Sequence, residues 1–382
     1  MMRRSKNSTV IMMVICTIVF MVFTFCYLFF YQNDILAVEQ HVLSGGRTHY
    51  NRILGAILIT GILYLVQVGV FAVARLRKRT HALTYLPSFL LLIFITDVSP
   101  HIDQGFSFGA WIWVFPLVLI LYVLCVMFAR GFQTIEPDMN STGIFSQLTW
   151  TNLLEMVAMM LCVGFFSNNN EVFHHRMRAE SCLIKGDWRG AVKATEGIDE
   201  ADSSLTFLRA IALSHEGKLG EKMFEVPVTG GSEAMLPNDR SVKCMMYPQD
   251  SVYLWLGKRY VQYMSPLHYL NFSFRHHSAK KAAGDYLLTA YLMDKNLDAF
   301  AATIGLFYNL DSVIPKHYRE ALILYTHHRA RPRIVYHSTV MDADFQDYQT
   351  LERQNSNPYQ RQAAIRDTYG NTYWYYWQYG GK

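Results

Sequence analysis

Five apolar runs fill most of the first 168 residues of this 382-residue chain, near 9–30, 53–74, 83–98, 110–129 and 148–166. A helix that crosses a bilayer needs about 20 mostly apolar residues. Inside a bilayer every backbone N–H and C=O must be satisfied within the protein, which leaves such runs little choice but helix. The first 168 residues carry only ten Lys and Arg and seven Asp and Glu, against twenty-five and twenty-three in 169–382. The expected architecture is all-α. A transmembrane bundle of about five spans (1–168) precedes an extracytoplasmic α-helical repeat domain (169–382). The run at 9–30 is too long for a cleaved signal peptide, and no small-residue cleavage pattern follows it.

Lys and Arg in short loops set orientation. Arg3, Arg4 and Lys6 precede the first run; Arg75, Arg77, Lys78 and Arg79 follow the second; Arg130 follows the fourth. The first outer loop carries only Arg47 and Arg52, and 97–108 carries no Lys or Arg. The N-terminus is therefore expected in the cytoplasm. With five spans the C-terminal domain lies outside; were 83–98 re-entrant, that domain would move to the cytoplasm.

The C-terminal domain nets about +2 with its signs interspersed. That gives no electrostatic footprint for nucleic acid. Four cysteines lie in apolar runs. Cys182 and Cys244 lie in the charged half, where the reading favours two thiols, one disulfide being the alternative if that half is extracytoplasmic. Asn7, Asn140 and Asn271 match the short N-x-S/T pattern, from which no glycosylation is read.

Two stretches of the C-terminal half resemble one another. Ala179, Gly186, Trp188 and Ala191 are matched 31 residues on by Ala210, Gly217 and Leu219, with Lys222 replacing the last small residue. The pattern looks like tetratricopeptide packing, whose period is about 34 residues. The small Ala admits a second helix, the Gly ends the first helix in a tight turn, and Trp188 or Leu219 plugs the groove. A third stretch, Ala282–Phe300, has the same shape with Asn296 at its turn, and a further helix starts at Pro315. An irregular helical bundle is the alternative. Residues 225–239 and 342–358 read as loops, and 251–274 as helical.

Candidate chemistry is sparse. Asp34, Glu39, Asp97 and Asp103 on the outer loops are weak catalytic candidates, since acidic residues at a membrane face serve some lipid-linked transferases, but they fall in no diagnostic motif. Glu155 is the ionisable residue well inside a run, reaching the interface in the plainer reading. The doublets His174-His175, His276-His277 and His327-His328 make poor chelates, because neighbours on a helix point about 100° apart. No phosphate loop, nucleophile elbow or zinc signature occurs, so no cofactor and no metal are expected. The aromatic ending Tyr373-Trp374-Tyr375-Tyr376-Trp377 is read first as a cap on the last helices. The alternatives are a partner platform through Tyr373, Trp374 and Trp377, or a headgroup contact.

At Pro315-Lys-His-Tyr-Arg-Glu-Ala321 and Tyr369-Gly-Asn-Thr-Tyr-Trp374 the sequence resembles an uncharacterised family of Bacteroidota polytopic membrane proteins with a C-terminal tetratricopeptide-like domain. The resemblance implies a Gram-negative bacterial inner membrane, which would put the outer C-terminal domain in the periplasm, and no particular reaction. The expected function is a membrane-anchored scaffold, held in the lipid bilayer, that binds a protein or peptide partner in the envelope. The alternative is a membrane enzyme of glycan or lipid-linked transfer with the repeat domain as accessory.

Overall fold

The computed structural model describes residues 2–76, 78–100, 102, 109–133, 146–238, 240–354 and 356–381, with the side chains of 2–8, 78, 132 and 133 left undescribed. Among these residues all regular structure is helical. The chain divides into two compact units, Met1–Asn170 and Glu171–Lys382.

The first unit contains α1 (Met2–Cys26, extended by a wider turn over Tyr27–Tyr31), α2 (Asn33–Leu43), α3 (Arg52–Ala74), α4 (Leu86–Thr96), α5 (Trp111–Gln133) and α6 (Gln147–Phe166). A tight helical stretch, Lys78–Tyr85, leads into α4. Five helical segments are long and apolar enough to cross a bilayer: Thr9–Tyr31, Arg52–Ala74, Arg79–Thr96, Trp111–Gly131 and Gln147–Phe166. Their outward faces keep large apolar side chains exposed, among them Leu58, Leu65, Leu121 and Leu161. In a water-soluble fold those would be buried.

Polar side chains join these segments, two of the bonds reaching the tight stretch before α4. Asn152 of α6 accepts the Ala82 N–H at 2.8 Å. Gln67 of α3 donates to Thr84 at 3.1 Å, and Ser88 donates to the Leu63 carbonyl at 2.7 Å. In an apolar solvent these bonds replace water that is absent.

Ends meet in two groups. The Tyr27 hydroxyl lies 2.5 Å from that of Ser167, Asn168 donates to the Val98 carbonyl at 2.6 Å, and Arg52 donates to the Phe29 carbonyl at 2.7 Å. The ends of the first, third and fifth segments and the start of the second therefore gather together. The other group joins Arg130 to the Ala74 carbonyl at 2.7 Å, and the start of the third segment to that of the fifth through Asn152.

The second unit contains α7 (Glu171–Ile184), α8 (Trp188–Ala194), α9 (Ser203–His215), α10 (Leu219–Lys222), α11 (Gln249–Leu256), α12 (Pro266–Arg275), α13 (Ala282–Met293), α14 (Leu297–Ile304), α15 (Lys316–His328), α16 (Thr339–Gln354), α17 (Pro358–Tyr369) and α18 (Tyr373–Tyr379). They enclose one apolar core that includes Phe207, Leu213, Leu287, Phe300 and Ile323.

Three helix pairs share one turn. Gly186, Gly217 and Lys295 hold left-handed backbone, φ +71°, +67° and +57°. The next residue then donates its N–H five residues back: Asp187 to Cys182 (3.0 Å), Lys218 to Leu213 (2.9 Å), Asn296 to Tyr291 (2.8 Å). This exit satisfies carbonyls that a helix end leaves open. The following helix begins two residues past the left-handed one, at Trp188, Leu219 and Leu297. The third turn corrects one expectation. Lys295, not Asn296, takes the left-handed position, while Asn296 caps α14 by accepting the Ala299 N–H at 3.0 Å. An Asn cap serves the helix start, and a charged residue tolerates the strained position at a cost of about 1–2 kcal/mol.

One further expectation changes. Residues 339–354 form helix α16 where 342–358 reads as loop; Met341, Phe345 and Tyr348 are buried along it at helical spacing. Its dense Asp and Gln content faces outward and masks the stripe. The stretch 251–274 is largely helical, a pair made of most of α11 and nearly all of α12 separated by non-helical 257–265.

Candidate functional site

The two sequence segments that carry the family resemblance meet inside the second unit. α15 begins after Pro315, whose fixed φ suits a helix start. This puts His317 and Glu320 one turn apart, both fully buried. Phe224 N–H donates to His317 Nε2 at 3.2 Å. Nε2 is therefore the acceptor, and Nδ1 holds the proton that points at Glu320 Oε2, 2.9 Å away. The same oxygen accepts the Tyr373 N–H at 2.6 Å, and the Glu320 carbonyl accepts Trp374 Nε1 at 2.9 Å. Tyr373 and Tyr376 hydroxyls donate to the carbonyls of Leu292 (3.0 Å) and Met293 (2.8 Å), at the end of α13. α18 is thus bonded to α13 and α15 by side chain and backbone alike. A partner platform needs exposed rings, but Tyr373 and Trp374 are buried and Trp377 is half-buried against the core.

Anchoring α18 builds one wall of a cleft of about 880 Å³. The other walls are the α8–α9 connection at 197–201 and the segment 224–229. Asp199, Glu200, Glu225 and Asp367 line it together with Arg366, whose guanidinium pairs with Asp199. Tyr375 and Tyr379, their rings tilted at 34° with centroids 5.3 Å apart, add aromatic surface. Four carboxylates against one engaged guanidinium make the lining acidic, and the paired phenols add amphipathic contact area of the kind that dominates binding hot spots.

The repeat-packing residues occupy consistent places. Ala179, Ala191 and Ala210 are fully buried and Leu219 nearly so, while Gly186 and Gly217 sit exposed at their turns. Trp188 is half-buried. Its indole stacks on His215 at 3.8 Å, and Trp255 stacks on the opposite face of that imidazole at 3.9 Å. Burial pushes the His215 imidazole below its ordinary value. A second buried carboxyl, Glu180 of α7, accepts the N–H groups of Met245 (2.9 Å), Met246 (2.7 Å) and Tyr247 (3.3 Å) and so fastens an irregular segment. Burial raises its carboxyl above the usual range, while those bonds and Arg176 oppose the rise. Cys182 and Cys244 both pack half-buried against the core.

In the first unit the acidic candidates do not converge. Glu39 lines a pocket of about 500 Å³, and neither Asp34 nor Asp97 does. Five residues separate Asp34 from Glu39 on α2, which turns them about 140° apart on a helix of 3.6 residues per turn. Asp97 instead accepts Trp111 Nε1 at 2.8 Å. Asp103 lies outside the described residues. Burial pushes the Glu39 carboxyl up to about 7. Glu155 lies eight residues into α6, about 12 Å along it at 1.5 Å per residue, with one carboxylate oxygen buried and unpartnered.

Residues 105–263 and 243–380 match the sequence profile of DUF6057, a family of unknown function. The chain belongs to that family. The matched region of this DUF6057 member contains every residue of the His317–Glu320–Tyr373 arrangement and the cleft lining apart from Gly381. No curated protein and no solved structure matches the chain.

Proposed function

We propose that this DUF6057 member is a membrane-anchored scaffold that presents a tetratricopeptide-like helical module to the periplasm and binds a protein or peptide partner there. The cleft of about 880 Å³ beside α18 carries the proposal. Its acidic lining and paired tyrosines suit an extended segment with basic side chains, since charge complementarity selects the partner and aromatic contact holds it. Support for the repeat reading comes from three helix pairs with one left-handed exit, although Leu288 stands seven residues before Lys295 where the other pairs have Ala. Support for the side comes from the gathered ends of the first, third and fifth apolar segments, an odd parity, combined with basic residues that hold the N-terminus in the cytoplasm. The setting in this proposal is the inner membrane of a Bacteroidota cell.

Site-specific photo-crosslinking from Gln362 and Asn371 in the cleft tests it. Discrete adducts that vanish on Glu225→Lys with Asp367→Lys are expected, with none from exposed Leu306 or Val313 on the same unit. Adducts from Leu306 equal to those from the cleft, or adducts indifferent to charge reversal, would overturn it.

A further inference from the structure

The Glu39 pocket has no part in partner binding as proposed above, and its construction points elsewhere. Its apolar walls are Leu36 and Leu43 of α2, Ile59 of α3 and Ile95 of α4. α2 follows the first apolar segment, Ile59 lies two turns into the second, and Ile95 closes the third. Consecutive crossing segments alternate in direction, so all three walls stand at one face of the bundle, at the level where hydrocarbon gives way to headgroups. Ile59 is flanked on α3 by exposed Leu58 and Ile62, apolar surface that a bilayer covers. The molecule beside this pocket is lipid.

Gln40, Ser44 and Thr48 also line the pocket but bond one another or nearby backbone, which leaves two polar groups, Tyr50 and Glu39. The Tyr50 hydroxyl is buried and hydrogen-bonds nothing, and burying a hydroxyl without a partner is costly. Its ring lies over Gly55, where an added Cβ would come within 2.3 Å of it. Glu39 is the second. No Lys, Arg or His lines the pocket among the described residues. A free phosphate or carboxylate would therefore meet an acidic group without a cation. A neutral acceptor oxygen at the head of a long apolar tail fits: the ester carbonyl of a glycerolipid. The volume falls within the range of small-molecule sites.

We propose that this pocket holds one acyl chain of a bilayer glycerolipid, with Tyr50 and Glu39 at its ester carbonyl. The chain lies along Leu36, Leu43, Ile59 and Ile95. Tyr50 donates to the carbonyl, which gives the buried hydroxyl its missing partner.

The full chain in phosphatidylethanolamine liposomes, doped with phosphatidylethanolamine bearing a diazirine near the ester end of one acyl chain, provides the test. After irradiation, adducts mapped by mass spectrometry are expected at Leu36, Leu43 and Ile59, well above those on exposed Leu117, Leu121 and Leu124 of α5. Tyr50→Phe lowers the pocket adducts up to about tenfold, the scale of one hydrogen bond. Ile59→Trp fills the cavity and removes them, leaving α5 labelling unchanged. Should Ile59→Trp fail to fold, Leu43→Trp at the exposed rim serves the same purpose. Uniform labelling of α3 and α5, or pocket adducts indifferent to the Trp variants, would overturn the proposal. So would displacement of the phosphatidylethanolamine adducts by equimolar polyprenyl phosphate, since that lipid has no ester carbonyl.

Discussion

The Glu320 carboxylate accepts the Tyr373 backbone N–H at 2.6 Å across 53 residues of chain. The oxygen that holds Tyr373 also faces His317 Nδ1, so one buried atom ties the start of α15 to the start of α18. The cleft wall at Tyr375 and Tyr379 rests on that tie together with the buried bonds of Tyr373 and Tyr376 to α13 and of Trp374 to the Glu320 carbonyl.

Glu320→Ala leaves the Tyr373 N–H and the His317 Nδ1–H without an acceptor. Each orphan costs about 1–3 kcal/mol. Glu320→Gln keeps one acceptor oxygen and is expected to cost less. Equilibrium unfolding of the full chain in detergent, followed by near-ultraviolet circular dichroism, ranks them; equal stability of wild type and Glu320→Ala removes the tie from the account.

At the helix-pair turns, Gly186→Ala and Gly217→Ala each cost about 1 kcal/mol. No atom stands within 4 Å of the added Cβ at either site, so the penalty is purely backbone. Gly220→Ala differs, because its Cβ would stand 2.4 Å from the buried Tyr318 ring, an overpacking of about 1–3 kcal/mol. Thermal unfolding midpoints should place Gly220→Ala lowest. The reverse order would mean that the Tyr318 ring yields freely.

Glu39 titrates near 7 when folded, against an ordinary value of 4.5. The folded chain therefore binds this proton more tightly than the unfolded chain. That contribution to stability is full below pH 4.5 and is lost as pH rises through about 7. The unfolding midpoint is expected to fall between pH 5 and 8, with a shallower fall in Glu39→Gln. Infrared difference spectra should show a protonated carboxyl band that disappears near pH 7 and is missing from the variant. Identical pH profiles for the two proteins would contradict the assignment.

A periplasmic second unit predicts that alkaline phosphatase fused after residue 200 is active and that a cytoplasmic reporter at the same place is silent. The opposite result would put the unit in the cytoplasm and break the odd parity of crossings.

How much was legible in the sequence depended on range. The apolar segments are read from local composition, and Gly186 and Gly217 from their local turn chemistry. Lys295 was missed because nothing in a lysine announces left-handed backbone, and the adjacent Asn296 offered a better local candidate. α16 was missed because its outward Asp and Gln outnumber Met341, Phe345 and Tyr348. The buried pairings of Glu320 with Tyr373 and of Glu180 with Met245 to Tyr247 span more than 50 residues each. No window on the sequence joins them. The His215 stack likewise needs Trp188 and Trp255 from distant helices.

The order in which the chain is made gives the α18 anchor a further meaning. A chain made only as far as residue 350 holds His317 and Glu320, but not the Tyr373 N–H that the Glu320 carboxylate binds or the rings of Tyr373, Trp374 and Tyr376. Until they arrive, the second unit has an open core and a buried carboxylate lacking its main acceptor role. Partly exposed cores are what chaperones and proteases recognise. α18 is thus the element whose arrival closes the core that α13 and α15 begin.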